Sequence, residues 1–182
     1  MTTDVPTSLG GEDPQAGALT HVDEQGQAHM VDITGKAVTR RLALARCHVI
    51  TVADANRVLA SRRGGMDVVE VARVSGVQAA KQTWSLIPLC HPLRLDRVAV
   101  EVDVASHCVT VSALTEVDDR TGVEMEALTA CAMCALSLLS VLLEVDPAAS
   151  IEQLTVWHKS GGRSGDWGRA SLDRLGEVPR VT

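Results

Sequence analysis

Residues 98–113 read VAVEVDVASHCVTVSA, and this stretch decides the fold. In its first half valine occupies every second position, with small or acidic residues between. A period of two residues predicts a half-buried strand. Ala105 and Ser106 predict a tight turn, and the same period continues through Val109 and Val111. The stretch therefore predicts a β-hairpin.

The segments on either side of this hairpin predict the remaining elements. Mixed apolar and β-branched residues at 44–52 predict a strand, and helical composition predicts helices at 54–63 and 67–84. A long helix is predicted from residue 121 to about residue 145, and alternation at 154–158 predicts a last strand. The order β-α-β-β-α-β is typical of ferredoxin-like α+β folds, in which helices cover one face of an antiparallel sheet.

The long helix has signals at both ends. Thr121 followed three residues later by Glu124 predicts a capping box, and Asp146-Pro147 predicts the helix end. Its uncharged centre, residues 127–143, is at the lower limit of length for a membrane span and contains hydroxyl side chains. We therefore expect a buried core helix and no membrane association.

Composition limits the function and the organisation of the chain. The net charge is −6 and the pI is about 5.5, which argues against nucleic-acid binding. Five cysteines without regular spacing, and no signal peptide, predict a reduced cytoplasmic protein. We expect a disordered leader at 1–18, one domain at 19–168 and a flexible tail at 169–182.

Three segments carry residues suited to chemistry. Two prolines hold the loop 87–92 rigid around His91, although a packed turn would have the same sequence. Glu124 and Glu126 lie in one helical turn and can accept hydrogen bonds from a guanine-type edge, or simply favour a helix N-terminus. The glycine-rich segment 159–166 contains a lysine and an arginine that could bind an anion. Alternatively, the segment is a flexible joint.

Cys131 and Cys134 form a CxxC pair inside the long helix. A zinc or redox site is one interpretation of this spacing. The sequence holds no second such pair and the surroundings are apolar, so two small core residues are the favoured interpretation.

Four segments in order resemble the MoaC family of cyclic pyranopterin monophosphate synthases. They are LTHV through AHMVD and KA (19–37), ARVSGVQAAKQTWSLIPLCHPL (72–93), TGVEMEALTA (121–130) and KSGGRSGD (159–166). The resemblance spans about residues 19–167. It implies a ferredoxin-like fold, in agreement with the element order.

The resemblance also implies an activity and an assembly. The family converts 3′,8-cyclo-7,8-dihydroguanosine triphosphate, a purine-derived precursor of pterin, to cyclic pyranopterin monophosphate with release of pyrophosphate. It works as a hexamer, a trimer of dimers with active sites between subunits. No metal or cofactor is implied. The chain would thus be a lyase of molybdenum cofactor biosynthesis.

The resemblance assigns roles to individual residues. His91 and Lys81 would assist proton movement, Glu124 and Glu126 would contact the base, and Lys159 with Arg41 would contact phosphate. The remaining expected substrate contacts are Leu89, Cys90 and Met125.

Three positions depart from the family pattern. The family carries an acid and, three positions on, a lysine in the long helix, where this chain has Ser140 and Leu143. It also carries a lysine before the central helix, where alignment on Asp67 places Gly65. Arg62 or Arg63 could reach the site in place of this lysine, but arginine is a poor proton donor.

Three interpretations follow from these departures. The first is a synthase with rerouted proton transfer. The second is a catalytically impaired paralogue that binds the pterin precursor or assembles with an active synthase. The third is an unrelated zinc or redox protein, which depends on Cys131 and Cys134 alone.

Overall fold

The computed structural model describes residues 21–23, 25–60, 62–63 and 66–169. They fall into two units, Met1–Val31 and Asp32–Thr182. In the first unit, Val22 and Ala28 form an antiparallel bridge around a turn in which the Asp23 carboxylate accepts from the amide of Gln27 at 2.7 Å. The predicted leader, and the predicted tail beyond Arg169, lie outside the described residues.

The second unit contains one open antiparallel sheet and its helices. In chain order the elements are β1 (Thr39–Ile50), α1 (Ala55–Leu59), β2 (Arg62–Arg63), β3 (Met66–Asp67), α2 (Val68–Ala80), α3 (Thr83–Leu86), β4 (Arg97–Ala105), β5 (Cys108–Asp119), α4 (Glu124–Leu142), β6 (Ser150–Ser160) and β7 (Trp167–Gly168). The sheet order is β4-β5-β1-β6-β7, and β2 pairs with β3 separately. The α+β prediction, with helices on one face of an antiparallel sheet, is confirmed.

The core between α4 and the sheet is made of small residues. Alternate side chains of β1 and β5 face α4, and most are fully buried: Ala43, Ala45, Cys47, Val49, Val109, Val111 and Ala113. A chain without Phe or Tyr fills its interior with Ala, Val, Cys and Leu. Close packing then requires the helices to approach closely. A Cβ at Gly76 of α2 would lie only 2.8 Å from the carbonyl oxygen of Ala130 in α4.

Helix α4 is the helix that sequence composition alone would allow to cross a membrane, among the residues described. Its buried face packs on the sheet, as expected for a core helix. Hydrogen bonds hold both ends: Thr115 Oγ1 donates to the carbonyl of Val123 at 2.9 Å, and the Asp146 carboxylate accepts from Thr51 Oγ1 at 2.7 Å. The position of α4 on the sheet is therefore fixed at its start and its end.

Two local predictions were wrong. The helix expected at 54–63 ends at Leu59, and the backbone of Arg62–Arg63 pairs with Met66–Asp67 instead. The capping box at Thr121 does not form, because α4 begins at Glu124 with Val123 as its N-cap and no side-chain cap. The helix predicted at 67–84 begins where expected, with the Asp67 carboxylate accepting from the amide of Val69 at 2.9 Å, but it ends at Ala80 and the separate short helix α3 follows.

Candidate functional site

The candidate site lies at the end of the sheet where β1 starts and β5 leads into α4. In the β1–β6 ladder Ala43 is opposite Lys159, and Arg41 precedes Ala43 by two residues. Because side chains alternate along a strand, Arg41 and Lys159 point to the face that carries the helices. Arg40 points to the other face, where it pairs with Glu116. Of the two adjacent arginines, only Arg41 can serve a site beside α4.

A β-bulge in β6 sets the direction of Lys159. His158 pairs with Leu44 and Val156 pairs with Ala45, so Trp157 is the extra residue. A bulge reverses the alternation of side chains beyond it. Trp157 packs with Leu44 on the open face of the sheet, which is the face without helices, whereas Lys159 points toward α4.

Lys159 forms an ion pair with the first residue of α4. Its Nζ lies 3.3 Å from Glu124 Oε1 and 3.4 Å from Ser164 Oγ, and both side chains of the ion pair are about one-third exposed. The Glu124 carboxylate folds over Gly122, where a Cβ would lie 2.0 Å from Oε2. Glu124 therefore faces a cation rather than closing the capping box.

Glu126 is a buried carboxyl group beside this ion pair, only 4% exposed. Burial, together with the nearby charge of Glu124, raises the pKa of Glu126 to about 7. At neutral pH its protonated and ionised forms coexist, so it can donate as well as accept a hydrogen bond. Such a group is suited to proton transfer at neutral pH.

The loop between the two prolines reaches the same cluster through Cys90. Burial raises the pKa of the Cys90 thiol, and the charge of Glu126 adds to this, so the thiol is protonated at neutral pH. Leu89 has a φ of 66°, which an L-amino acid seldom adopts outside a constrained loop. His91 is half-buried and directly follows Cys90.

The glycines of residues 159–166 allow this loop to approach β1 closely. A Cβ at Gly161 would lie 2.1 Å from the carbonyl oxygen of Arg40, and one at Gly162 would lie 2.0 Å from Arg41 Nη1. The amide of Gly161 donates to Asp166 Oδ1 at 3.1 Å. This N–H is used inside the loop, so the cations rather than that amide are left for an anion.

Arg41 keeps donors available. Its Nη2 donates to the carbonyl of Arg120 at 3.3 Å, while its buried Nε has no acceptor among the described residues. A guanidinium with unused N–H groups can bind a phosphate or carboxylate.

The other predicted residues make no described contact with this cluster or lie outside the described residues. Lys81 is exposed at the C-cap of α2, and no described side chain pairs with it. Ser140 lies about 24 Å along α4 from Glu124, at 1.5 Å per residue, and its hydroxyl donates to the carbonyl of Ser137. Leu143 follows as the C-cap and is 40% exposed. Gly65 lies outside the described residues.

Met125, the last predicted substrate contact, is 37% exposed in the first turn of α4. Sequence reasoning did not identify Glu116, which is 7% exposed and pairs with Arg40 and with Arg97 at 3.2 Å on the open sheet face. The available signal was an acid within the apolar strand β5.

Cys131 and Cys134 are fully buried, Cys131 against β1 and Cys134 beside Gly76 of α2. Burial raises the pKa of Cys134 to about 12. A metal-binding thiol must be deprotonated, so this environment disfavours zinc. Within the described ranges, no three His, Cys, Asp or Glu side chains are grouped to hold a metal ion.

Comparison with known proteins places this arrangement in a family. The sequence model described as the MoaC family matches residues 30–162, which include β1, the start of α4 and Lys159. This chain belongs to the MoaC family.

Proteins similar to this chain include three that are named cyclic pyranopterin monophosphate synthase. The one from Streptomyces coelicolor is 45% identical over 174 residues, which is 93% of this chain and 100% of that protein. The one from Nocardioides is 47% identical over 157 residues, covering 83% and 95%. The synthase 2 of Mycobacterium tuberculosis is 46% identical over 163 residues, covering 88% and 96%.

Proposed function

We propose that this chain acts in molybdenum cofactor biosynthesis as a cyclic pyranopterin monophosphate synthase, a lyase. The substrate would be 3′,8-cyclo-7,8-dihydroguanosine triphosphate, and the products the cyclic pyranopterin monophosphate and pyrophosphate. The observation that carries the proposal is the ion pair of Lys159 with Glu124, beside the buried Glu126 and near Arg41 of β1. Family membership supports the reaction class.

The cations of the cluster suit a triphosphate. Lys159 and Arg41 point to the helix-bearing face beside the N-terminus of α4. The unsatisfied N–H groups of a helix N-terminus add partial positive charge there. A phosphate oxygen arriving at Lys159 would compete with Glu124 for the ammonium, and the guanidinium of Arg41 would provide further charged donors.

The carboxyl groups suit the purine-derived part of the substrate. Glu124, once released by Lys159, can accept from ring N–H groups. Glu126, with a pKa of about 7, can transfer a proton during ring opening and reclosure. Leu89, Cys90 and Met125 would line the pocket, and His91 would assist proton movement.

The length of α4 bears on the assembly. In one chain about 24 Å of helix separates Glu124 from Ser140, so a pocket of ordinary size cannot include both. A site that used both ends of α4 would need a second chain. We therefore propose a hexamer, a trimer of dimers, in the cytoplasm, with Lys81 contributed to a shared site.

A second candidate function is that of an impaired paralogue that assembles with an active synthase. The far end of α4 favours it: the Ser140 hydroxyl is bonded to its own helix, and Leu143 is apolar and exposed. Neither side chain can act as the acid or the base that the family carries at its position. In a mixed assembly this chain would supply the Glu124 end of α4, and its partner the other end.

The test is turnover by the purified chain, incubated anaerobically with the cyclic dihydroguanosine triphosphate. The pyranopterin is detected after oxidation to its fluorescent product, with Lys159→Met as the control. Robust turnover supports the synthase. Binding without turnover, together with activity gained on mixing with a complete synthase whose own Glu124 equivalent has been removed, supports the impaired paralogue. Absence of both binding and turnover overturns the proposal.

A further inference from the structure

Two thiols of the core lie in direct contact across the sheet–helix interface. Cys47 of β1 and Cys131 of α4 are both fully buried, and their Sγ atoms are 3.3 Å apart. Neither sulfur is in a disulfide. The Cys131 thiol can donate to Cys47 Sγ or, at 3.3 Å, to the carbonyl oxygen of Val111, but its one proton cannot serve both.

The geometry is close to that of a cross-link. A disulfide has a sulfur–sulfur distance of about 2.05 Å, so the two atoms must approach by only about 1.3 Å. Cys134 shares the helix with Cys131 and is also buried, but no described hydrogen bond joins its sulfur to either thiol. Cys47 and Cys131 are thus the cysteine pair that the fold has positioned for bond formation.

We propose that Cys47 and Cys131 form an oxidation site, at which a peroxide converts the two thiols to a reversible disulfide between β1 and α4. This site is independent of the proposed synthase reaction. It requires no residue of the candidate active site.

The chemistry balances with one molecule of peroxide. Cys47 sulfur attacks a peroxide oxygen, the O–O bond breaks, and a sulfenic acid and one water (from hydrogen peroxide) result. Cys131 sulfur then attacks Cys47 sulfur, the S–O bond breaks, and the hydroxyl group leaves as a second water with the Cys131 proton. Two thiols are oxidised and one peroxide is reduced.

The contact between the two thiols supports Cys47 as the first nucleophile. The hydrogen bond from Cys131 lowers the pKa of Cys47, although burial opposes this. The hydrogen bond with Cys47, together with burial, raises the pKa of Cys131, so it keeps its proton until the second step. The thiolate is the reactive form, which assigns the order of the steps.

Burial determines the rate and the product. Peroxide must enter between β1 and α4, so this oxidation is slower than that of the half-buried Cys90 and Cys108. Once a sulfenic acid forms at Cys47, the neighbouring sulfur 3.3 Å away resolves it before a second peroxide arrives. We expect a disulfide here, and sulfinic or sulfonic acids at Cys90 and Cys108.

The cross-link also restricts the unfolded chain. The two cysteines are 84 residues apart in sequence, so the bond closes a long loop. Closing a long loop lowers the entropy of the unfolded state, so Tm should rise by about 5–10 °C. Treatment with dithiothreitol should reverse the rise.

The experiment treats the full-length protein with hydrogen peroxide, then alkylates it in denaturant and maps its peptides by mass spectrometry. We expect a linked peptide joining Cys47 to Cys131, lighter by two hydrogens and cleaved by dithiothreitol. Cys134→Ala is the matched control, because it removes a buried thiol of the same helix and should keep the linkage. Cys131→Ala should lose both the linkage and the rise in Tm.

Each other result overturns the proposal. These are both thiols remaining alkylatable after Cys90 is fully oxidised, a linkage of Cys47 to Cys134, or sulfinic acid at Cys47 with Cys131 intact. Should Cys131→Ala fail to fold, Cys47→Ala provides the same test from the strand side. Retention of the rise in Tm in that variant would equally contradict the assignment of a disulfide between Cys47 and Cys131.

Discussion

Lys159 Nζ lies 3.3 Å from Glu124 Oε1, so the cation proposed for phosphate and the acid proposed for the base hold each other in the free protein. Both are about one-third exposed, and an ion pair of this kind contributes little to stability. Substrate binding would exchange the pair for two charge-assisted contacts. The ion pair thus keeps both groups oriented until substrate arrives.

Lys159→Met should therefore weaken substrate binding with little effect on folding. Loss of one charged hydrogen bond to phosphate should raise KM about ten- to a hundredfold. Tm should stay within about 2 °C. Steady-state kinetics and thermal melts check this, with Arg57→Met, an exposed cation on α1, as a control of equal charge change. An equal rise in KM in both variants would show a general charge effect only.

Glu126 should make the stability of the fold depend on pH. Its pKa rises from 4.5 to about 7 on folding, so the folded state binds more protons between these values. Stability is then full below about pH 4.5 and falls as pH rises through 7, by about 3 kcal/mol in total. In Glu126→Gln this fall should disappear, so the variant is the more stable protein at pH 8.

Urea unfolding at a series of pH values measures this difference. Glu152→Gln, at an exposed carboxylate of β6, should keep the wild-type pH dependence. A wild-type curve that Glu126→Gln leaves unchanged would mean that Glu126 is ionised in the folded protein at neutral pH.

Gly162→Ala and Gly165→Ala should separate the effect of backbone strain from the effect of displacing the Arg41 guanidinium. Both residues have positive φ, 77° and 65°, so alanine costs about 1 kcal/mol of backbone strain at either. Only at Gly162 would the new Cβ meet the Arg41 guanidinium; at Gly165 there is nothing within 4 Å. Both variants should lose similar stability, but only Gly162→Ala should lose affinity for inorganic pyrophosphate, measured by calorimetry. Equal affinities would argue against Arg41 as a phosphate ligand.

Restoring the family pattern at Ser140, Leu143 and Gly65 should raise turnover. One positioned acid or base contributes a factor of about a hundred to ten thousand. The triple variant Ser140→Asp, Leu143→Lys, Gly65→Lys should therefore gain at least about a hundredfold in kcat. Ser140 and Leu143 are exposed, so the change should leave the far-UV spectrum and Tm close to wild type. A folded triple variant without any gain would show that these positions do not limit activity.

The sequence predicted those parts of the fold that depend on local periodicity. Alternating valines in residues 98–113 gave the hairpin of β4 and β5 because a strand pattern is written in adjacent residues. The capping box did not form because α4 begins only at Glu124, and the carboxylate of Glu124 pairs instead with Lys159, which is distant in sequence. No local pattern encodes such a contact.

The same limit applies to the site. Resemblance identified Lys159 and Glu126, but the bulge at Trp157 that directs Lys159 to α4 depends on its pairing with β1. The near-neutral pKa of Glu126 depends on burial, which follows from tertiary packing. Residue types were predictable, whereas their directions and proton affinities required the folded chain.

The two ends of α4 have a consequence for how such a protein can change by descent. One rigid helix carries Glu124 at its start and the exposed Ser140 and Leu143 at its end, too far apart to touch. Mutations accumulating at the far end leave the packing of the near end intact. After a gene duplication, selection can therefore retain the functional residues at the start of α4 while those at its end change freely.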